Sequence, residues 1–407
     1  MNNCHIAVIG GGPSGLTAAI TAARNGKNVI IIEAQQRVGR KLLSTGNGRC
    51  NIANISSDSE FWRSRDISKV CEILSLAPLD DVKEFLASVG IRCREESGGR
   101  LYPRSEQASG VLDMLRYEVS RLGIEVLCES RVASVSYNGV FSIQLENQKT
   151  IKADKVIAAF GGAASPQLGG CSDGYRILKK LGHSVTEQKP ALLPLCSPSP
   201  ILKSLKGTRV HCDVSLLKNG RTVRRESGEL QFTDTALSGI AVFQLSATYA
   251  RTGGNELSVD LFPEYEHEKL LDELVSFSKK LDSLPASELL SGLVNKRVSQ
   301  CVIKSCASLT QTAGSLSKAQ LENIAKTAKD WRFPITGPAN WKQAQVTSGG
   351  VSLSEFDNGL RSRIVPDLFA CGEVLDCDGD CGGFNLRWAW SSGLVAGRSA
   401  SKNQIKG

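Results

Sequence analysis

The sequence predicts an α/β protein with a Rossmann-type domain that is interrupted by an insertion, first β-rich and then helical. One indication is a strand–helix–strand pattern near the N-terminus, with a glycine-rich turn at Gly10–Gly15. Another is an apolar strand near the C-terminus, Asp367–Ala370, which also leads into a glycine. The length of 407 residues suffices for two or three domains of about 100–200 residues each.

The N-terminal pattern has the parts of a dinucleotide-binding unit in the right order. His5–Ile9 is a short, β-branched strand, Leu16–Asn25 is a helix rich in small residues, and Val29–Ile32 is a second strand. Gly10–Gly15 forms a G-x-G-x-x-G between the first strand and the helix, and Glu33 ends the second strand. A lone glycine motif is weak evidence, since it can be a structural turn, but its position between these elements predicts dinucleotide binding.

Each residue of the motif has a physical role in this interpretation. Gly10 permits the tight turn, Gly12 lets the backbone approach a pyrophosphate, and Gly15 lets helix and strand pack closely. The start of the helix offers free N–H groups and a positive dipole end to phosphates. The Glu33 carboxylate can accept both ribose hydroxyls of an adenosine.

The basic, glycine-rich segment after the second strand favours FAD over NAD. An NAD dehydrogenase would normally continue with another helix–strand unit. Residues 37–49 instead hold four cations and three glycines in thirteen positions. This composition suits a loop wrapped around a long anionic cofactor, and the alternative is a solvated basic loop.

The order of strands after residue 122 also favours an FAD domain. Residues 61–122 look mainly helical, and residues 125–129, 131–137 and 141–145 then alternate like a β-meander. A buried strand follows and ends in a glycine turn at Gly161. This order is typical of FAD domains related to glutathione reductase, in which the backbone just after the pre-meander strand, here Val132, lies beside the adenine.

The C-terminal part returns to the same kind of site. Gly372-Glu373 follows an apolar strand, where FAD domains typically carry Gly-Asp with the acid on the ribityl chain. A helix rich in small residues begins near Phe384, and its positive end would stabilise the negative charge of reduced flavin. The triplet Asp376-x-Asp378-Gly-Asp380 resembles part of a calcium loop, but the glycine and the later acid of an EF-hand are missing, so no metal is predicted.

Together these features predict an α/β fold with a Rossmann-type FAD-binding domain of the glutathione-reductase-like class. The predicted cofactor is FAD. The predicted cofactor-binding residues are Gly10, Gly12, Ser14, Gly15, Glu33, Arg40, Lys41, Asn47, Val132, Gly161, Gly372, Glu373, Asp380, Asn385 and Leu386.

Composition narrows the class of protein further. The formal charge of +8 attracts either nucleic acid or anionic cofactors and substrates, but the basic residues are spread out, which favours a mildly basic surface over an RNA-binding face. The thirteen cysteines are scattered without a C-x-x-C pair and are expected to be reduced, small hydrophobic residues. No signal peptide and no membrane-spanning run is evident, so a cytoplasmic location is expected.

Three strings resemble a specific family. They are similar to motifs of the BaiN-like flavoproteins, also called the aminoacetone-oxidase family, and read Thr45-Gly-Asn-Gly-Arg-Cys-Asn51, Gly372-Glu-Val-Leu-Asp376 and Asp378-Gly-Asp-Cys-Gly-Gly-Phe-Asn-Leu-Arg-Trp-Ala-Trp-Ser-Ser-Gly393. The resemblance extends over nearly the whole chain. It implies a split FAD-binding domain, 1–189 and 336–407, an inserted β-rich, barrel-like domain, 190–262, and a helical domain, 263–335.

The resemblance also implies an activity. One family member reduces 3-oxo-4,6-diene bile acids with a reduced nicotinamide, and most members have no established substrate. This sequence departs from many relatives at Asp234, where they have His, and at Arg387, where they have Gln. Both residues are candidates for substrate contact, so transfer of a substrate from a relative is in doubt.

The expected chemistry is a reaction in two halves, in which NADH or NADPH reduces FAD and the hydride then passes to an organic acceptor. An activated carbon–carbon double bond would be such an acceptor. It would also need a proton donor, and Tyr102 and Arg104 are the candidates. The alternative is that Tyr102 packs in the core and that Arg104 pairs with an acid.

Other functions remain open at this stage. An amine oxidase would use oxygen to reoxidise the flavin and would release hydrogen peroxide. A flavoprotein that works on RNA would use the positive charge, although the long basic extensions usual in tRNA-modifying flavoproteins are missing. A non-catalytic FAD-binding module is the third alternative. The oligomeric state is not predicted.

Overall fold

The computed structural model describes residues 3–402, which fall into two compact units. Residues 3–189 and 345–402 form the discontinuous unit, and residues 190–344 form the inserted unit. None of the helices within residues 3–402 combines the length and apolarity needed to cross a bilayer.

The secondary structure alternates strands and helices in the first part of the chain, as expected for an α/β fold. The α-helices are α1 Pro13–Arg24, α2 Ile67–Leu76, α3 Leu79–Ser88, α4 Ala108–Arg121, α5 Asp173–Lys180, α6 Leu202–Leu205, α7 Ile240–Thr252, α8 His267–Lys280, α9 Lys296–Cys306, α10 Lys318–Lys329 and α11 Phe384–Ser401. The strands are β1 Asn3–Ile9, β2 Val29–Ile32, β3 Ala53–Asn54, β4 Trp62–Arg63, β5 Cys93–Glu96, β6 Arg100–Pro103, β7 Glu125–Leu127, β8 Val132–Tyr137, β9 Phe141–Leu145, β10 Thr150–Ala158, β11 Lys189–Ala191, β12 Leu195–Cys196, β13 Arg209–Lys218, β14 Arg221–Phe232, β15 Ala236–Ser238, β16 Glu256–Asp260, β17 Trp331–Pro334, β18 Gly337–Pro338, β19 Val346–Ser348, β20 Leu368–Ala370 and β21 Asp378–Gly379.

The main sheet of the discontinuous unit has the strand order β7-β2-β1-β10-β9-β8, with β20 beside β10. β1 pairs in parallel with β2 and β10, and the residues Ile6–Ile9 and Val29–Ile32 are buried. Apolar, β-branched runs of this kind suit parallel strands that are covered on both faces. The fold class predicted from the sequence is therefore confirmed.

The long strand β10 joins two parts of this sheet. Its first half pairs antiparallel with β9, and its second half pairs in parallel with β20. The expectation that residues 125–129 begin the meander is wrong, because β7 pairs in parallel with β2. The intervening chain, which includes α4, is long enough for the crossover that a parallel pair requires. The meander consists of β8, β9 and the start of β10.

Helices α1 and α11 pack against each other through small residues. A Cβ atom on Gly393 would lie 2.6 Å from the Ser14 carbonyl oxygen, and one on Gly397 would lie 2.6 Å from the Ala18 carbonyl oxygen. Glycine at these two positions therefore lets the helices approach backbone to backbone. The packing brings the N-terminal half of α1 beside α11.

The inserted unit is built on an antiparallel sheet with the order β17-β16-β13-β14-β15-β12-β18. The strands and the helices α8–α10 share one hydrophobic core, which includes Val259, Leu274, Val302 and Ile324. The β-rich and helical parts, predicted as two domains, thus lie in one compact unit. The chain also stays in this unit to residue 344, beyond the predicted return at 336, because β17 pairs with β16 and β18 with β12.

Candidate cofactor-binding site

The glycine turn before α1 is shaped by two close backbone approaches. Gly10 has φ +107°, and a Cβ there would lie 2.2 Å from the Ala159 carbonyl oxygen. A Cβ on Gly15 would lie 1.9 Å from the Gly10 carbonyl oxygen, whereas a Cβ on Gly12 would have no atom within 4 Å. The fold therefore requires glycine at positions 10 and 15. Gly12 is instead open on the side that a bound phosphate would fill.

The N-terminus of α1 is prepared for an anion. Its cap residue, Gly12, supplies no side-chain hydrogen bond, and no acidic residue lies in the first turn. Pro13 starts the helix and carries no N–H of its own. The other N–H groups of the first turn are therefore free to donate hydrogen bonds to an anionic ligand. Ser14 is buried beside them.

Glu33 holds the glycine turn against the end of β2. Its Oε2 accepts a hydrogen bond from the Gly11 N–H at 2.8 Å, and its Oε1 accepts one from the Gln35 N–H at 2.8 Å. The carboxylate is only partly buried, and each of its oxygens has a second lone pair. Glu33 therefore fixes the turn and can still accept hydroxyl groups.

The basic segment behind β2 is partly neutralised by its own contacts. The Lys41 Nζ atom lies 2.8 Å from Glu373 Oε2, and Glu373 Oε1 accepts a hydrogen bond from the Thr347 N–H at 2.8 Å. Arg40 is exposed and donates to the Gln35 side chain at 2.9 Å. The fold thus brings Lys41 and Glu373 together as an ion pair.

Three other predicted cofactor residues lie in loops or at a strand end. Asn47 is exposed with φ 55°, inside the loop that contains Thr45–Asn51. Val132 is buried at the start of β8. Gly161 has φ +75° and no atom within 4 Å of an added Cβ.

The start of α11 forms the second prepared helix end. The cap residue, Gly383, has φ +105°, and a Cβ there would lie 2.3 Å from the Ala53 carbonyl oxygen. No side chain caps this helix, and no acid lies in its first turn. Asn385 fastens the preceding loop, because its Oδ1 accepts from the Gly379 N–H at 2.9 Å and its Nδ2 donates to the Gly379 carbonyl at 2.8 Å. Leu386 is partly buried beside the core.

The turn at Gly372 is fixed to the side of α11. Its N–H donates to Ser392 Oγ at 3.0 Å, and its carbonyl oxygen accepts from Trp388 Nε1 at 3.0 Å. A Cβ on Gly372 would lie 2.3 Å from Ser14 Oγ, so this turn also touches the start of α1. This turn therefore links the start of α1 to the side of α11.

The three aspartates before α11 are buried beside arginine and backbone donors. Asp380 forms an ion pair with Arg63, and the Arg63 Nη1 atom lies 3.9 Å from Asp378 Oδ2. Asp376 Oδ2 accepts from the Arg65 N–H at 3.3 Å. Within residues 3–402 no group of His, Cys, Asp and Glu side chains is arranged to hold a metal ion. Arg63 was not predicted, because a single arginine in a mainly helical stretch gives no local signal of this pairing.

Arg387 is a buried cation in the first turn of α11. Its residue surface is 4% exposed, and its Nη1 donates to the carbonyl oxygens of Asn54 and Ser56 at 3.2 and 2.7 Å. Its Nε has no acceptor, and no carboxylate lies within ion-pair distance, in the part of the chain that the structure describes. Burial lowers the pKa of the guanidinium.

The residues present fit FAD. Gly12 leaves room for a phosphate, two helix N-termini lack side-chain caps, and Arg387 brings a positive charge that no described carboxylate balances. A long, anionic dinucleotide with a ring system that becomes negative on reduction matches all of these features.

A comparison with known families agrees. The family described as the HI0933-like protein Rossmann domain matches residues 4–399. The chain belongs to this family. It is 34% identical to the 3-dehydro-bile acid delta(4,6)-reductase of Clostridium scindens, over 98% of this chain and 99% of that protein. It is 31% identical to the ribosomal RNA dihydrouridine synthase of Escherichia coli, over 97% of this chain and 98% of that protein.

Solved structures show the same fold at low sequence identity. The 3-ketosteroid delta1-dehydrogenase of Sterolibacterium denitrificans has a TM-score of 0.54 and 11% identity, covering 98% of this chain and all of that chain (100%). A flavocytochrome c3 fumarate reductase has a TM-score of 0.52 and 15% identity, covering 98% and 78% of the two chains. The protein is thus an FAD-dependent oxidoreductase of the HI0933-like family.

In this HI0933-like chain, Tyr102 lies under an arginine. The Tyr102 residue is 7% exposed, and the Arg49 guanidinium carbon lies 4.2 Å from the centre of its ring. Arg49 is held in turn by Glu96 at 2.5 Å and by Glu106 at 3.4 Å. Within residues 3–402 no group hydrogen-bonds to the Tyr102 hydroxyl, which leaves that hydroxyl available to a ligand.

The other two substrate candidates lie on the surface of their units. Arg104 is exposed and has no ion pair within residues 3–402, so the expected pairing with an acid is not seen. Asp234 is exposed in the inserted unit and forms an ion pair with Lys206 at 2.9 Å, which lowers the pKa of Asp234. Neither position assigns a catalytic role.

One polar group in the discontinuous unit was not evident in the sequence. His183 Nδ1 lies 2.9 Å from Glu355 Oε2, and His183 Nε2 lies 3.0 Å from Ser362 Oγ. Ser362 Oγ also accepts from the N–H groups of Ile364 and Val365. Both His183 and Ser362 are buried. This Ser–His–Glu arrangement therefore stabilises the turn at residues 362–365 and does not expose a nucleophile.

Proposed function

We propose that this protein is an FAD-dependent reductase, fed by NADH or NADPH, that saturates a carbon–carbon double bond conjugated with a carbonyl group. The main support for the proposal is the similarity of nearly the whole chain to two relatives that share a type of reaction. A delta(4,6)-reductase and a dihydrouridine synthase differ in substrate, but both names describe the saturation of a conjugated carbon–carbon double bond. The shared reaction is therefore transferred here, and the individual substrates are not.

The protein residues have distinct roles in this proposal. The start of α1 and Gly12 hold the diphosphate, and Glu33 accepts the adenosine ribose hydroxyls. FAD bound there would supply the hydride chemistry between the nicotinamide and the acceptor. The Tyr102 hydroxyl is the proposed proton donor to the acceptor carbon, because its ring lies beside the Thr45–Asn51 loop and none of the described residues hydrogen-bonds to the hydroxyl.

The experiment that tests the function is a multiple-turnover assay in the absence of oxygen. The FAD-loaded protein is mixed with NADH or NADPH and with a steroid 4,6-dien-3-one, and the product is identified by mass. A gain of two hydrogens, with one nicotinamide oxidised per product, is the expected result. Hydrogen peroxide release with amines in air, and no reduction of the dienone or of uridine, would favour an amine oxidase instead.

A second acceptor class is favoured by a specific feature of the inserted unit. The hairpin of β13 and β14, residues 209–232, holds five lysines and arginines and three acids. Four of the five cations are exposed, among them Arg221 at the turn and Arg209, which is paired with Glu229 at 3.0 Å. A basic hairpin suits the phosphates of RNA. Together with the RNA-modifying relative, it supports uridine in RNA as the alternative acceptor.

The two acceptor classes are separated by one comparison. The protein is given NADPH and either the dienone or ribosomal RNA that lacks dihydrouridine, and reduced product is measured for each. For an RNA acceptor, Arg221→Gln together with Arg209→Gln weakens RNA binding and flattens its dependence on salt. The same double variant should leave dienone reduction unchanged, since these residues lie in the hairpin.

A further inference from the structure

Positive charge is concentrated in the first turn of α11, and no carboxylate within residues 3–402 lies within ion-pair distance of its arginine. The helix has 18 residues, its start has no side-chain cap, and no acid lies in its first turn. The macrodipole of such a helix is equivalent to roughly half a positive charge at this end. Arg387 adds a full positive charge to the same turn, which is an unfavourable place for a cation unless an anion is also present.

The guanidinium lies against the start of this helix and not in solvent. Helical side chains lean toward the N-terminus of their helix, which directs Arg387 back along the first turn. Its Nη1 reaches the carbonyl oxygens of Asn54 and Ser56. The side chain of Asn54 in turn donates to the Gly382 carbonyl at 3.1 Å, immediately before the helix begins. Arg387 and the uncapped N–H groups therefore share one locality.

Backbone carbonyls satisfy only part of this guanidinium. They accept hydrogen bonds from Nη1, but Nε is buried without an acceptor within residues 3–402. Carbonyl dipoles also do not neutralise a buried charge, whose burial is costly unless it is paired. The nearby aspartates are engaged elsewhere, Asp380 by Arg63 and Asp376 by the Arg65 N–H.

We propose that Arg387 stabilises the negative charge that FAD acquires on reduction, and that it thereby sets the electron affinity of the bound cofactor. Uptake of two electrons and one proton converts neutral oxidised flavin into an anion, and a two-electron donor such as dithionite supplies the electrons. The interaction of Arg387 exists only in the reduced state, so it raises the reduction potential. The inference rests on the FAD site and is independent of which acceptor the proposed reductase uses.

Sulfite titration of the oxidised, FAD-loaded protein is the direct test. Sulfite adds its electron pair to oxidised flavin, leaves a negative charge on the ring system and bleaches the visible band, so its affinity reports stabilisation of that charge. Arg387→Gln keeps a donor for the Asn54 and Ser56 carbonyls but removes the charge. We expect its sulfite dissociation constant to rise at least about tenfold, equivalent to about 30 mV for a two-electron couple.

Two controls separate charge from packing. Arg387→Lys keeps the charge, and its sulfite dissociation constant should stay within about threefold of the parent value, a difference below about 1 kcal/mol. FAD content and thermal unfolding are measured for both variants. Unchanged sulfite affinity in Arg387→Gln, with FAD bound, would overturn the proposal and leave Arg387 as a clamp on residues 54–56.

The parent protein gives an independent result if Arg387→Gln fails to retain FAD. The protein is reduced with dithionite, and the absorption spectrum is followed as the pH is lowered. If Arg387 stabilises the anion, reduced FAD in the protein stays anionic at pH values at which free reduced FAD is already protonated. Protonation at the same pH as free reduced FAD would contradict the proposal. No step of this test needs NADH, NADPH or an acceptor, so its failure is distinct from failure of the proposed function.

Discussion

The two uncapped helix ends of the discontinuous unit are built differently. Helix α1 begins after a glycine turn, and the carboxylate bonded to that turn, Glu33, is fixed by backbone N–H groups. Helix α11 begins beside buried aspartates, and its first turn carries the buried cation Arg387. The first end therefore attracts an anion with backbone dipoles alone, whereas the second adds a full charge.

This difference implies that the start of α1 serves cofactor binding and that the start of α11 serves the reactivity of the flavin. The diphosphate of FAD is negative in every redox state, so backbone N–H groups of fixed orientation suffice for it. The flavin ring changes charge during the reaction, and only a charge or dipole placed beside it can favour one state over another. Changes at α1 should therefore alter whether FAD binds, and changes near α11 should alter stability or reactivity of the loaded protein.

The largest expected effect is loss of the cofactor in Gly12→Val. Gly12 has φ −76°, and an added Cβ meets no atom of residues 3–402 within 4 Å, so the fold without cofactor tolerates the side chain. Valine would occupy the space of the pyrophosphate, and the purified protein should be colourless. The FAD content per chain is read from the absorption spectrum.

Gly292→Val is the matched control. Gly292 also has no atom within 4 Å of an added Cβ, and it lies in the inserted unit. This variant should remain yellow. Normal FAD content in Gly12→Val would refute the assignment of the phosphate site to the start of α1.

The next effect concerns the buried ion pairs beside α11. Arg63→Met removes the cation that pairs with Asp380 and lies 3.9 Å from Asp378, and it leaves buried carboxylates without that partner. Breaking a buried pair in this way costs about 3–5 kcal/mol of unfolding free energy. Urea unfolding, followed by far-ultraviolet circular dichroism, measures the change.

An exposed ion pair in the same unit provides the control. Arg398 lies 2.8 Å from Asp81, and both side chains are substantially exposed. Arg398→Met should cost at most about 1 kcal/mol, because solvent screens such pairs. Equal destabilisation by the two variants would show that the charges beside α11 are no more tightly coupled than surface charges.

The proposed proton donor gives a smaller effect, confined to one half of the reaction. In Tyr102→Phe the reoxidation of reduced FAD by the acceptor should slow by at least about 100-fold, the lower end of the usual range for general acid catalysis. Reduction of FAD by the nicotinamide should be unchanged, since no proton donor is needed there. Stopped-flow absorbance separates the two halves, and an unchanged reoxidation rate would remove Tyr102 as the donor.

The smallest effect concerns His183, which belongs to neither α1 nor α11. Burial lowers the pKa of His183 below its ordinary value, although its hydrogen bond with Glu355 acts in the other direction. The unfolded chain therefore binds a proton at His183 at a higher pH than the folded chain. This contribution to stability is complete above the unfolded pKa of about 6.5 and is lost as the pH falls below it toward the folded pKa.

Urea unfolding at two pH values measures this contribution. The parent protein should lose more unfolding free energy between about pH 7.5 and pH 5.5 than His183→Gln does. An equal loss in both proteins would mean that His183 titrates alike in the folded and unfolded chains. The FAD content at both pH values should not differ between the two proteins.

The contrast between the helix ends also explains what the sequence could predict. The α1 site depends on Gly10–Gly15 and Glu33, which are close in sequence, so local spacing predicts the strand, the turn and the helix. The pairing of Arg63 with Asp380 joins positions more than three hundred residues apart, and nothing local indicates it. The same holds for Lys41 with Glu373, each of which was predicted only as a cofactor contact.

The main errors in the fold have a similar cause. Residues 125–129 alternate like a meander strand, but their partner is set by the crossover through α4, which places β7 beside β2. The predicted boundary at 336 fell short because Gly337–Pro338 pairs with β12, a contact set by tertiary structure. Alternation predicts that a strand exists, and it does not predict the neighbouring strand.

Anaerobic reduction by nicotinamides tests the central claim most directly. The purified yellow protein is mixed first with NADH and then with NADPH, and the flavin absorption band is followed. The proposal predicts rapid bleaching by at least one of them, and recovery of the band when a conjugated acceptor is added. A band that neither nucleotide bleaches would contradict a nicotinamide-fed reductase and would point to direct oxidation of a substrate, another electron donor or a non-catalytic role.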